Sequence, residues 1–231
     1  MRMIKTVRLA SLAAALVLAP VLVLPATAAA QGAAGGQGDV FKDTSMLKLP
    51  EGQRAAIFEF EDLECPACSH AAPIVQAALK RYGIPFIRHD FPLGQHLWSR
   101  DAAITARYLQ DKVSPDLAEQ YRLAVFAAQT SINSKEDLQN FTQSWFKKQG
   151  KPMPFALGPD SLFGLEVQAD YRLGERMGVQ HTPTIIVIAP HGWVQVVDVA
   201  QLYSVIDQAL AQTPVGGVKG GPKKPITSGL H

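Results

Sequence analysis

The chain's only two cysteines stand three positions apart, in Cys65-Pro66-Ala67-Cys68, and this spacing constrains it more than any other feature. A disulfide between them encloses two residues. A structural staple works by closing a long loop of the unfolded chain, so this one would stabilise little, and the spacing points to chemistry rather than bracing. Zinc binding would need two further ligands, and the sequence has neither a second cysteine pair nor histidines at finger spacing. The flanks give the pair its setting. Ala55–Glu61 (A-A-I-F-E-F-E) reads as a strand running straight into the cysteines. Pro66–Tyr82 reads as a helix: Pro66 suits the first position, Ile74, Ala78 and Leu79 recur at helical spacing, and Gly83 stops it. Pro85–Phe91 reads as a second strand. A strand–helix–strand unit pairs its strands in parallel, so the fold class is α/β.

A cysteine pair at a strand-to-helix junction has a physical logic. Cys65 lies at the helix start, where unpaired N–H groups and the helix dipole favour an anion, so its thiol is acidified. Cys68 lies one turn further in and is more buried. Cys65 is thus the candidate nucleophile and Cys68 the resolving thiol. Glu59, six residues before Cys65, shares a strand face with Ile57 and is expected to be buried.

The N-terminus addresses the compartment. Met1–Arg8 carries Arg2, Lys5 and Arg8 without an acid, and Leu9–Leu24 is apolar apart from Ser11. Ala26-Thr27-Ala28 follows, giving the three parts of a secretory signal peptide over residues 1–28. The alternative is a retained membrane anchor, since the apolar run approaches the ~20 residues a span needs. Export places the chain in the periplasm or on the extracellular side of the membrane. Cleavage after Ala28 removes three of the 22 basic residues and leaves 19 against 20 acidic. A nucleic-acid partner needs a concentrated basic face, which this balance excludes.

The rest of the chain divides as follows. Residues 29–54 form a linker and N-terminal segment, Gly/Ala/Gln-rich over Gln31–Asp39. After the first α/β portion, 55–92, a helical stretch runs over 93–177. Leu97, Ile104 and Tyr108 mark one helix, and Ser114-Pro115 opens the next, with Leu117, Tyr121, Ala124, Val125 and Ala128 inward. Ser134 opens a third, carrying Leu138, Phe141 and Trp145. Asp160 caps a fourth that carries Leu162, Leu165, Ala169, Leu173 and Met177, and Gly178 closes it. The α/β pattern resumes over 178–213: Thr184–Ala189 and Trp193–Val199 make a hairpin about His191-Gly192, and a helix follows from Leu202 to Leu210. Residues 214–231, with five Gly, three Pro and three Lys, read as a disordered tail.

Three features beyond the cysteines form a pattern. Pro73 falls five residues after Cys68 inside the helix, Glu59 lies in the preceding strand, and Thr182-Pro183 stands between a helix ending at Gly178 and a strand starting near Thr184. With them the chain resembles the thioredoxin superfamily over roughly residues 55–210. The helical insertion, Phe91-Pro92-Leu93 and Gly178-Val179-Gln180-His181-Thr182-Pro183-Thr184 resemble its DsbA-like branch of thiol–disulfide oxidoreductases. The resemblance implies a thioredoxin fold with an inserted helical domain, catalysis by Cys65, Cys68 and Glu59, and a cis proline at Pro183 whose neighbour Thr182 pairs with an extended substrate. It implies redox tuning by Glu64, Pro66, Ala67 and His181. It also implies no metal and no cofactor, exported thiol proteins as substrates, a membrane-bound reoxidase as partner, and a monomer.

The chain departs from the DsbA type at two tuning positions. That type usually has Pro-His between its cysteines; here Ala67 offers no cation, and Glu64 sets a negative charge against the thiolate. Thr182 before the proline resembles the isomerases instead. Those dimerise through a separate N-terminal domain, for which the 26 residues of 29–54 are too few. The leading expectation is an enzyme that introduces disulfides into exported proteins. A reductase or isomerase of the same fold is the alternative, and a peptide-binding chaperone-like protein with an incidental cysteine pair a further one. A copper-handling relative would need wider cysteine spacing. Of the other aromatics, Trp98, Phe141 and Trp145 read as helical core or, if exposed, as a peptide groove.

Overall fold

The structure, a computed structural model, describes residues 38–154 and 157–213. The expected signal peptide and tail, and most of the expected linker, lie outside the described residues. The elements are β1 (Ala56–Glu61), α1 (Pro66–Tyr82), β2 (Phe86–Asp90), α2 (Ser99–Lys112), α3 (Pro115–Ala128), α4 (Lys135–Lys148), α5 (Leu162–Met177), β3 (Thr184–Ala189), β4 (Gly192–Val196) and α6 (Leu202–Ala211).

The four strands form one sheet in the order β2-β1-β3-β4. The crossover helix α1 makes β1 parallel to β2, with Ile57 opposite Phe86 and Glu61 opposite Asp90. β1 runs antiparallel to β3, and β3 to β4. β1 is therefore internal, and all six of its residues are buried. Strand alternation splits them between two layers. Phe58 and Phe60 pack with Phe91, Met177, Ile186 and Ile188 on one face. Ile57 packs with Val75, Ala78, Ile185, Val187, Leu202 and Ile206 under α1 and α6 on the other. Each fully buried side chain of this size contributes about 2–3 kcal/mol of transfer free energy. A third core fills the helical insertion, where Trp98, Leu109, Tyr121, Val125, Trp145 and Phe146 pack together. Leu63, Cys65, Cys68 and Ala72 belong to that same core, so the cysteine pair sits on the seam between sheet and insertion.

The helix punctuation follows local chemistry. Ser114 and Ser134 cap α3 and α4 by accepting the N–H of Leu117 and Asp137. Gly83 and Gly178 end α1 and α5 in the left-handed region, at φ 60° and 91°. Four details differ from the sequence reading. Ser161, not Asp160, caps α5: the helix starts at Leu162, and Ser161 stands three residues before the Gly164 N–H that its hydroxyl accepts. Leu97 precedes α2 and is 65% exposed; Trp98 takes the buried place. The inward face of α5 is Gly164, Val167, Gly174 and Met177, while Leu162, Leu165 and Ala169 face solvent. Two glycines make that face, since a Cβ on Gly174 would stand 2.5 Å from the Phe91 ring; counting large apolar residues therefore selects the wrong side. Finally, β4 ends at Val196, and Val199–Gln201 is a turn of 3-10 helix.

Candidate active site

Strand β1 carries the chain to the site and α1 begins there. Cys65 is the N-cap of α1, extended at φ −77° and ψ 120°, and Pro66 occupies the first turn. Cys65 and Cys68 are free thiols, 7% and 1% exposed. A hydrogen bond from the Cys68 thiol overcomes burial at Cys65. Thr182 and the N–H groups of Cys68 and Ala67 add to it, and together they lower the Cys65 thiol from 9.0 to about 5. Burial, with the hydrogen bond to Cys65 and the charge of Glu59 behind it, pushes Cys68 well above its ordinary range.

The loop between α5 and β3 closes the site from the other side. The Thr182–Pro183 peptide is cis. The Cys65 thiol donates to the Thr182 carbonyl at 3.3 Å, joining residues 117 positions apart. Thr182 is buried, and its side chain lies beside the Cys65 sulfur, where it favours the thiolate. His181 is half exposed and stands 3.5 Å from the Asp39 carboxylate. Pro66 and Ala67 are exposed on the tip of α1.

Glu59 is 2% exposed in the middle of β1. Burial first, and then the charge of neighbouring Glu61, raises its carboxyl to about 8. In its ionised form it raises the Cys68 thiol further. Glu64, read in the sequence as a charge opposing the Cys65 thiolate, has another engagement: its carboxylate accepts the N–H groups of Trp98 at 2.7 Å and Ser99 at 2.9 Å. It caps α2, and its charge is matched by that helix end. Trp98 and Trp145 are 2% and 7% exposed and Phe141 is half-buried, so they form core and no open groove.

Three supports escaped the sequence reading. Asp62 is 1% exposed and acts as a hub. Its N–H reaches the Cys68 sulfur at 3.5 Å, and its carbonyl accepts the Cys65 N–H at 3.1 Å. Its carboxylate accepts from Glu64 N, Leu93 N, the Ser99 hydroxyl and His96 Nδ1. The run Glu61-Asp62-Leu63-Glu64 was visible as acidic, but nothing local says which acid turns inward. Gln129 donates to the Leu63 and Cys65 carbonyls at 2.8 and 3.1 Å. Third, a buried ionic cluster joins sheet to insertion. Arg122 contacts Glu61 at 3.0 Å and Asp90 at 2.7 Å, Arg107 bridges Asp90 and Asp170, and Arg88 binds Glu119 at 2.6 Å. Among the described residues no cluster of metal-ligating side chains occurs.

A family model described as Thioredoxin matches residues 52–207. No curated protein matches the chain. Among solved structures, Wolbachia pipientis alpha-DsbA1 is 18% identical and superposes with a TM-score of 0.60, over 74% of this chain and 97% of its own. Proteus mirabilis ScsC in a transitional conformation is 17% identical, with a TM-score of 0.54 over 71% of this chain and 72% of its own. A periplasmic thioredoxin-like protein from Salmonella enterica serovar Typhimurium is 18% identical, with a TM-score of 0.52 over 71% and 88%. With α2–α5 inserted between β2 and β3 of its sheet, the chain belongs to the thioredoxin family and carries the DsbA-like form of its fold.

Proposed function

We propose that the chain is an exported dithiol–disulfide oxidase that introduces disulfides into exported proteins through Cys65 and Cys68. The observation that carries this reading is the asymmetry of the two thiols, one lowered to about 5 and the other raised well above 9. At pH 7 the Cys65 thiolate is favoured about a hundredfold, which stabilises the reduced protein and makes the disulfide form an oxidant.

The chemistry follows in two exchanges. A substrate thiolate attacks the Cys65 sulfur of the Cys65–Cys68 disulfide, and Cys68 leaves. Protonated Glu59 supplies the proton Cys68 needs, directly or through water. A second substrate thiolate then attacks the substrate sulfur of the mixed disulfide and expels Cys65, a good leaving group because its thiolate is stable. The substrate gains a disulfide and the protein is left reduced, its two electrons passing to a membrane-bound reoxidase. In that return step Glu59 takes the Cys68 proton. Thr182 offers its backbone to an extended substrate beside Pro183. His181, Pro66 and Ala67 tune the approach. The signal-like N-terminus and the similarity to a periplasmic thioredoxin-like protein from Salmonella enterica support a periplasmic setting. The protein acts as a monomer, without metal or cofactor.

A reduction potential measured against glutathione tests the reading. The expected value lies between roughly −130 and −220 mV, milder than the strongest oxidases because Ala67 offers no cation. Oxidative refolding of a reduced substrate should outpace insulin reduction. A potential near −270 mV, about that of a thioredoxin-type reductant, would move the assignment to a reductase. Unchanged activity in Cys65→Ser would make the cysteine pair incidental to a peptide-binding role.

A further inference from the structure

The sequence reading places Asp39 at the end of a flexible linker, yet its side chain is only 2% exposed. Burying a carboxylate is costly unless partners satisfy it. Asp39 has three, two of which flank Thr182–Pro183. Its Oδ2 accepts the Thr184 hydroxyl at 2.9 Å and stands 3.5 Å from His181 Nε2. The Gln195 amide of β4 donates to the same oxygen at 3.4 Å. Thr184 is 1% exposed, and its hydroxyl also lies 2.8 Å from the His181 carbonyl. One carboxylate oxygen therefore holds both ends of the four-residue loop that presents the Thr182 carbonyl to Cys65.

The chain around Asp39 is laid down as a strap over this corner. The Lys42 N–H donates to the Met177 carbonyl at 2.7 Å, at the end of α5. A Cβ on Gly178 would come within 3.1 Å of the Val40 carbonyl, and one on Gly38 within 2.6 Å of Gln195 Oε1. Phe41 meets the Trp193 ring edge-on at 5.2 Å. Val40 between them is 80% exposed, so hydrophobic burial at that position does not explain why the segment lies here.

We infer that Asp39 is a positioning residue for the substrate-binding loop, acting through Thr184 and His181 and contributed by the segment that precedes the thioredoxin fold. It touches neither cysteine. Its effect falls on how well an extended peptide is received at Thr182, and not on the acidity of Cys65. The inference rests on the proposed role of the Thr182–Pro183 loop in substrate contact.

The test uses the full chain with Asp39→Ala and Asp39→Asn. Amide hydrogen exchange by mass spectrometry reads the loop directly. Asp39→Ala should speed exchange over residues 180–184 and leave α1 unchanged. The oxidised protein is then reacted with a short peptide carrying one cysteine and, separately, with 2-mercaptoethanol. The peptide reaction should slow about fivefold, the weight of one ordering hydrogen bond, while the small-thiol rate stays within about twofold. Asp39→Asn keeps an acceptor for Thr184 and should recover much of both effects; it also carries the test if the alanine variant does not fold. Unchanged loop exchange in both variants overturns the inference, and so does equal slowing with both thiols, which would make Asp39 merely structural. A wild-type protein inert to both thiols would instead refute the proposed function, and the exchange experiment would still decide whether Asp39 holds the loop.

Discussion

Glu59 and Glu64 lie five positions apart, and their environments give them opposite tasks. Glu59 has no helix end to face, and burial keeps it protonated with its carboxyl at about 8. The folded value is raised, so its contribution to stability is present below the unfolded value of 4.5 and is lost as pH rises through 8. Glu59→Gln should therefore raise the melting temperature relative to wild type more at pH 9 than at pH 5. It should also slow the steps that move the Cys68 proton, about tenfold to a hundredfold by stopped-flow. Equal exchange rates in the two proteins would remove Glu59 from the mechanism. Glu64 spends its charge on α2. Glu64→Gln should move the Cys65 pKa by less than about half a unit in a thiolate absorbance titration. A fall of a full unit would restore the simple repulsion read from the sequence. Glu64→Ala should cost about 1 kcal/mol, the usual loss of a helix cap, in a urea melt.

At the scale of elements, the insertion is fixed to the sheet by charge as well as by apolar packing. Arg122 on α3 is 1% exposed and reaches Glu61 on β1 and Asp90 on β2. Arg107 on α2 ties Asp90 to Asp170 on α5. Burial raises the Asp90 carboxyl, but Arg122 and Arg107 outweigh it and hold it well below the usual range. Removing one partner from such a set leaves charge buried and uncompensated. Arg122→Ala should thus destabilise by about 3–5 kcal/mol, with exchange protection lost first in α2 and α3. A loss under about 1 kcal/mol, the scale of an exposed pair, would show that water reaches the cluster. The depressed Asp90 value also fixes a sign: its contribution is present above the unfolded value of 3.8 and lost as pH falls below it.

For the whole molecule, the redox state should couple to stability through Cys65. The thiol's folded value is lowered from 9.0 to about 5, so the stabilisation of the reduced protein is fully present above 9 and lost as pH falls through 5. At pH 7, between the two values, part of it is present. The opposing contribution of a disulfide that closes a two-residue loop is small. Urea melts of the two forms should find the reduced protein more stable at pH 7, with the difference shrinking toward pH 5. A more stable oxidised form at pH 7 would contradict the oxidant poise.

The sequence by itself determined what depends on near neighbours. The start and stop of α1, the parallel pairing of β1 with β2, the serine caps of α3 and α4 and the placing of Cys65 and Cys68 one helical turn apart are set within a few residues by proline, glycine, hydroxyl and alternation. Local pattern failed on α5, where two glycines carry the packed face. It also failed for Asp62, Glu64 and Asp39, because several acids look alike in a sequence and only three-dimensional neighbours select which are buried, and against what. Arg122 and Asp90 lie 32 positions apart, and Cys65 and Thr182 lie 117 apart. Such pairs have no local signature. Only the closing of sheet, insertion and strap onto one another brings them within hydrogen-bond reach, and there low dielectric makes each charge's partners decisive.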